Sequence, residues 1–364
     1  MSCDLTALAN KGVQALHPYS PGKPISELER ELGISNIVKL ASNENPLPLP
    51  ARVLEAIQGE LAELARYPDS NGFYLKEALA NKMGVDMGQI TLGNGSNDVL
   101  EMLARVFLNE HSNAVFSAHA FVVYPIVTQA VGAKSHVVPA KNWGHDLTAM
   151  AEAIDENTKM VFIANPNNPT GTWVEQAELK AFLANVPEHV IVVIDEAYNE
   201  YTGQVVDTHT WIKQHPNLVV TRTFSKAYGL AGLRVGYALS DEKVAGLLNR
   251  IRQPFNNNNL ALAAATAVLD DTAFLEKAIQ VNRDGMQQLL ACFESLGLES
   301  IPSKGNFITV NMAKDAAPIY QALLHKGVIV RPVANYGMPE HLRISIGLAE
   351  ENQKLIDVLP SCLA

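Results

Sequence analysis

Three short apolar runs punctuate the middle of the chain: Lys159–Ala164 (KMVFIA), Val190–Ile194 (VIVVI) and Leu218–Thr221 (LVVT). Each is brief, rich in β-branched residues and bounded by polar or turn residues, as strands buried on both faces are. Between the first two, the segment 174–185 places Ala177, Leu179, Phe182 and Leu183 near helical spacing. Strand, helix and strand in that rhythm predict a mostly parallel, doubly wound α/β layer. A further helix is predicted after Gly93-Asn94-Gly95-Ser96, because Val99, Leu100, Met102, Leu103, Val106 and Phe107 fall on one face. Near residue 255 the pattern changes. Residues 260–291 are rich in Ala and Leu and predict a long helix, and strand-like stretches follow at 306–310 and 342–346. The expected division is an N-terminal arm over 1–45 that folds against the small domain, a large domain over 46–255, and a smaller α+β domain over 256–364.

A chain of 364 residues suits two domains better than one small core. Hydrophobic residues make up 48% and charged residues 18%, a globular balance without the signature of disorder. The net charge of −10 argues against nucleic acid or an anionic membrane as partner, since both select basic patches. Any anionic ligand must then be gripped by a few local arginines, lysines and backbone amides. Cys3, Cys292 and Cys362 are far apart and form no CxxC pair, so reduced thiols and a cytoplasmic location are expected. The opening residues lack the basic-then-apolar pattern of a signal peptide, and the densest apolar stretch, 260–269, is too short to span a bilayer. HExxH, Cys/His clusters, GxSxG and Walker sequences are all missing, so no metal site is expected. GNGSND lacks the third glycine of a dinucleotide fingerprint.

What remains is a constellation at the ends of the three runs. The first leads into Asn165-Pro-Asn-Asn-Pro-Thr-Gly171, the second into Asp195-Glu-Ala-Tyr198, the third into Thr223-Phe-Ser225-Lys226. Ligands of open parallel sheets bind beyond the carboxyl ends of the strands. A partly desolvated lysine there can condense with an aldehyde. An aspartate at the end of an apolar strand needs a cationic partner, and a protonated pyridine nitrogen is one. Tyr198 and Asn165 can hydrogen-bond a phenolic oxygen. Gly95, Ser96 and Asn97 at a helix start offer amides to a phosphate, with Ser225 and Arg234 to complete the cradle. Taken singly, PNNPTG is a turn signal, Asp195 a helix cap and GNGS an ordinary pre-helix turn. Their matched positions at three strand ends carry the reading. They point to pyridoxal phosphate (PLP).

These residues resemble the fold-type I PLP-dependent aminotransferases, and within them the branch that acts on histidinol phosphate. The resemblance runs nearly end to end, from HPYSPGKP (17–24) through KLASNENP (39–46), Arg66-Tyr67-Pro-Asp69 and the three strand-end motifs to Val330-Arg331-Pro332 and LRISIG (342–347). It implies that Lys226 holds PLP, that Asp195 pairs with the pyridine nitrogen, and that Asn165 and Tyr198 contact the phenolic oxygen. Ser96, Asn97, Ser225 and Arg234 would take the phosphate. Phe121 would stack on the ring, where the family often has tyrosine. Tyr67 would reach the cofactor phosphate of a neighbouring subunit, implying a homodimer. Arg343, Arg331 and Tyr19 would bind the carboxylate of glutamate and the phosphate of histidinol phosphate, with Asn43 nearer the reacting end. The implied reaction passes the amino group of histidinol phosphate to 2-oxoglutarate. A threonine-phosphate decarboxylase or an aromatic aminotransferase on the same scaffold are the alternatives, and a non-catalytic PLP sensor lacks the DNA-binding head it would need. The run Asn256–Asn259 is expected to form a loop near a subunit interface, with no chemistry assigned.

Overall fold

The computed structural model describes residues 3–18, 21–203 and 207–363. A short first strand, β1 (Val38–Lys39), is used late in the fold. The next seven strands are β2 (Ile90–Gly93), β3 (Asn113–Ser117), β4 (Lys134–Val138), β5 (Thr158–Ala164), β6 (Ile191–Asp195), β7 (Leu218–Thr223) and β8 (Gly236–Leu239). They form one sheet in the order β2-β8-β7-β6-β5-β3-β4, in which β8 alone runs antiparallel to its neighbours. Every residue of β6 and β7 is buried, and their alternate side chains serve opposite cores. Val192 and Ile194 enter one core, Ile191 and Val193 the other, and β5 divides Val161 and Ile163 from Met160 and Phe162 in the same way. This double burial is why the runs read as continuous rather than alternating. Each such side chain contributes roughly 1.5–3 kcal/mol. The helix Ser96–Phe107 covers one face with the buried Val99, Leu100 and Leu103, as its spacing predicts.

The remaining strands are β9 (Ser300–Ile301), β10 (Phe307–Asn311), β11 (Val328–Ile329), β12 (Arg331–Pro332) and β13 (His341–Ser345). β12-β13-β10-β9 make an antiparallel sheet, and β1 pairs in parallel with β11. Their core holds Leu40, Leu289, Phe293, Ile308, Leu342 and Leu355, so the N-terminal segment packs with the C-terminal third of the chain.

The long helix expected over 260–291 is two helices, Asn259–Leu269 and Thr272–Ser295. Asp271 separates them: its side chain accepts from the Phe274 amide at 3.0 Å and caps the second. The first packs against the helices Ala51–Glu60 and Phe73–Met83, with Ala261, Ala264, Ala265 and Val268 in the same core as Leu75 and Leu79. The helix expected from residue 174 begins at Gln176. Among the described residues, no helix is long and apolar enough to cross a membrane, and no group of His, Cys, Asp or Glu is placed to hold a metal ion.

Candidate active site

The parallel register sets the ends of β5, β6 and β7 side by side, with Ala164 opposite Asp195 and Asp195 opposite Thr221. Beyond them lies a cavity of about 220 Å³ between the two cores. The end of β6 and the segments between β6, β7 and β8 contribute Asp195, Tyr198, Lys226 and Arg234 to its wall, the small sheet contributes Arg331 and Arg343, and residues 41–43 close a third side. Four cationic side chains thus face one carboxylate in a chain of net charge −10. The cavity is built for anions.

Lys226 is half-buried; its Nζ donates to the Ser42 carbonyl at 3.0 Å and lies 5.8 Å from the centre of the Tyr198 ring. Burial first, and the nearby Arg343 guanidinium second, bring its pKa down to about 8. A usable fraction of neutral amine therefore exists near neutrality. An aldehyde offered to the protein is expected to condense here at a rate that rises about tenfold per pH unit below about 8 and levels off above it, because only the neutral amine has a free lone pair. Following the absorbance of the product against pH tests this, and a rate indifferent to pH between 6 and about 8 would refute it.

Asp195 is 4% exposed. Its Oδ2 accepts from the Tyr124 hydroxyl at 3.0 Å, and its Oδ1 is buried and makes no hydrogen bond of ordinary geometry among the described residues, with Thr221 and the Ala197 amide nearby. Burial raises its pKa to about 6. A carboxylate half satisfied in this way fits a cationic N–H brought by a ligand.

The anion cradle lies at the start of Ser96–Phe107. Gly95 precedes the helix at φ 81° with no side-chain cap, leaving the first amides and the positive end of the helix dipole towards the cavity. That positive φ calls for glycine, and a Cβ there would also push on the Arg234 guanidinium. Arg234, itself left-handed at φ 59°, donates from Nη1 to Ser225 Oγ at 3.2 Å. A Cβ on Gly236 would come 2.5 Å from the Ser96 nitrogen, so the glycine that opens β8 lets strand and helix start touch.

The Tyr198 hydroxyl accepts from Asn43 Nδ2 at 2.9 Å and from Asn168 Nδ2 at 3.2 Å, and burial pushes its pKa up to about 12. It stays a protonated phenol, able to donate to an oxygen in the cavity. Asn43, at φ 55°, is locked from the far end of the chain: its amide donates to Ser345 Oγ at 2.7 Å, and Ser345 Oγ donates to Asn43 Oδ1 at 3.0 Å. Arg343, 6% exposed, donates to Asn168 Oδ1 at 2.5 Å and to the Ala41 carbonyl at 2.8 Å. Arg331 and Arg343 are register partners across β12 and β13. Two like charges placed opposite each other repel unless an anion lies between them.

Of the residues expected to touch a ligand, Ser96, Asn97, Phe121, Asp195, Tyr198, Ser225, Lys226 and Arg234 line the cavity, as do Asn43, Arg331 and Arg343. Gly95 shapes the wall from behind. Tyr19 falls outside the described residues. Tyr67 is 81% exposed, stacks on Phe255 at 4.5 Å and does not line this chain's cavity. Asn165 departs from expectation. Its Nδ2 donates to the Val174 carbonyl at 3.0 Å and its Oδ1 accepts from the Val174 amide at 2.8 Å, so the side chain closes the loop after β5. Asn168, three residues on, reaches the cavity instead and bridges Tyr198 to Arg343. Sequence reasoning also missed Tyr124, Ser42 and Tyr336. The turn Asn165–Gly171 contained the signal for Asn168 but not the choice between its asparagines.

The set fits pyridoxal phosphate at each of its polar points: Lys226 for the aldehyde, Asp195 Oδ1 for the ring N–H, Tyr198 and Asn168 for the phenolic oxygen, and the helix start with Ser225 and Arg234 for the phosphate.

Known proteins point the same way. The sequence profile of the family described as aminotransferase class I and II matches residues 35–359. "Histidinol-phosphate aminotransferase 2" of Pseudomonas fluorescens is 62% identical over 368 residues, covering 100% of both chains. "Histidinol-phosphate aminotransferase 1" of Mannheimia succiniciproducens is 59% identical, covering 96% of each. Among solved structures, histidinol-phosphate aminotransferase from Sinorhizobium meliloti in complex with pyridoxal-5'-phosphate superposes with a TM-score of 0.89 at 30% identity, covering 97% of this chain and 96% of that one.

Proposed function

The chain belongs to the class I and II aminotransferases, and from that premise we propose that it moves the amino group of histidinol phosphate to 2-oxoglutarate. The products are imidazole acetol phosphate and glutamate, which places the enzyme in histidine biosynthesis. The cofactor is pyridoxal phosphate, which when bound supplies an aldehyde to carry the amino group and a cationic ring to withdraw electrons. The chain supplies the rest. Asp195 holds the ring nitrogen protonated, and Tyr198 and Asn168 donate to the phenolic oxygen. Lys226 Nζ would hold the aldehyde when the cofactor is bound, and its amine would serve as the general base for the proton on the donor's α-carbon.

The observation that carries the substrate assignment is the facing pair Arg331 and Arg343 on the cavity wall. Planar guanidinium groups grip both a phosphate and a carboxylate, which suits a phosphorylated donor in one half-reaction and a dicarboxylic acceptor in the other. Arg331→Ala is expected to lower kcat/KM for histidinol phosphate about 10- to 100-fold, from the loss of charge-assisted hydrogen bonds. With an unphosphorylated aromatic donor the loss should stay within about threefold. Equal losses with both donors would remove the phosphate from this arginine.

The direct experiment follows the cofactor's absorbance while amino donors are added. Bleaching by histidinol phosphate and recovery with 2-oxoglutarate support the assignment. Release of carbon dioxide from threonine phosphate in place of amino transfer would overturn it. We further assign Tyr67 to the cofactor phosphate of a neighbouring subunit, within a cytoplasmic homodimer; its exposure and its place outside the chain's own cavity support that reading. Tyr19 belongs to the same proposal as a substrate residue, as does the division into a large cofactor domain and a small one.

A further inference from the structure

The asparagine run after Phe255 has no part in the chemistry above, yet its side chains converge on the anion cradle. Asn256 Nδ2 donates to the Leu92 carbonyl at 3.2 Å and to Asp98 Oδ2 at 2.8 Å. That same Asp98 oxygen accepts the Asn94 amide at 2.8 Å. Asn256 Oδ1 accepts from Arg252 Nη1 at 3.0 Å, which fixes the orientation of the amide. Asn257, 4% exposed, donates to the Gly93 carbonyl at 2.9 Å. Asn258 donates to the Leu233 carbonyl at 3.3 Å while its Oδ1 caps the next helix through the Ala261 amide at 2.8 Å. Asn259 is the first residue of that helix and makes none of these bonds.

Apart from the Ala261 amide of the helix they cap, the groups held directly or through Asp98 belong to two segments. Leu92, Gly93 and Asn94 lead into Gly95 and Ser96, one half of the cradle. Leu233 precedes Arg234, the other half. β2 is an edge strand of the sheet, so its end has no neighbouring strand to fix it on the outer side. Arg234 sits in left-handed backbone, a conformation that persists only where the surroundings hold it. The guanidinium occupies the space where a Cβ on Gly95 would lie, so a small shift of either segment changes the spacing of amides and guanidinium around a phosphate. Asparagine suits the task because one side chain offers both a donor and an acceptor at short reach.

We propose that Asn256, Asn257 and Asn258 are positioning residues that brace the two halves of the cradle at the spacing of a phosphate, and thereby set how tightly the cofactor's phosphate is held. The proposal rests on the reading of this cavity as a pyridoxal-phosphate site.

The test titrates cofactor-free protein with pyridoxal phosphate and, in parallel, with pyridoxal, which lacks the phosphate, following absorbance. Asn257→Ala leaves the Gly93 carbonyl without its side-chain donor. It is expected to weaken pyridoxal phosphate binding about 5- to 30-fold while pyridoxal affinity moves less than about twofold. Asn258→Ser keeps a hydroxyl to cap the helix but loses the reach to Leu233, and should shift the same ratio in the same direction. Asn259→Ala should leave both affinities unchanged. If Asn257→Ala does not fold, Asn258→Ser decides. Equal weakening towards both ligands, or no weakening in a folded variant, overturns the brace. If the unaltered protein binds neither ligand, the cofactor reading itself fails, which is a separate outcome.

Discussion

Replacing Lys226 with alanine is expected to lower amino transfer by at least about 10⁴-fold, the contribution of a positioned general base together with the covalent hold on the cofactor. Lys226 is the one lysine among the side chains lining the cavity, so no neighbour can take over. Its pKa of about 8, set by burial before any other influence, makes it a proton acceptor that works near neutrality. Lys226→Arg separates the roles. The guanidinium keeps the positive charge but stays protonated at any working pH, so this variant should be as inactive as the alanine one. Single-turnover measurement with cofactor supplied at saturation gives the answer, and an arginine variant within about tenfold of the unaltered enzyme would show that charge alone suffices.

The second large effect is expected at Asp195. Asp195→Asn keeps the size and can still accept from Tyr124, but it no longer opposes a cationic ring nitrogen with a full charge. Removing one preorganised electrostatic partner costs about 10²–10³-fold in kcat. The free protein should show the converse. A carboxyl whose folded pKa is raised to about 6, above its unfolded value, costs stability where it is ionised and regains it as pH falls through that value. At pH near neutrality, cofactor-free Asp195→Asn should therefore melt at a higher temperature than the unaltered protein, while the two converge as pH drops below about 4. A variant that is both active and no more stable would contradict the role given to this carboxylate.

Much of this was legible in the chain before any coordinates. β5, β6 and β7 announce themselves because both their faces are buried and nearly every residue is apolar, so their ends, and the chemistry there, could be located from spacing. β8 could not be seen. Gly236–Leu239 is only four residues long and its antiparallel direction leaves no mark on composition. The break at Asp270-Asp271 was present as a capping signal, but the Ala- and Leu-rich pattern on both sides outweighed it. Asn165 and Asn168 have the same chemistry and sit in one turn, and only the path of the chain to Val174 decides which one faces the cavity. Tyr124 is fully buried and reads as ordinary core by its pattern, while its role comes from a hydroxyl that donates to Asp195. The facing of Arg331 and Arg343 depends on the register of two strands, which sequence spacing does not determine.

The lock between Asn43 and Ser345 spans 302 residues, and Arg343 reaches back to Ala41 across the same separation. The residues assigned above to the cofactor within one chain lie between 95 and 234. On that assignment, the half of the pocket proposed to grip the vitamin-derived ring leaves the ribosome long before the half proposed to recognise the metabolite. Only when β11 and then β13 have emerged are the anchors of the N-terminal segment all in place, and on the proposed reading the catalyst then gains the ability to choose what it acts upon.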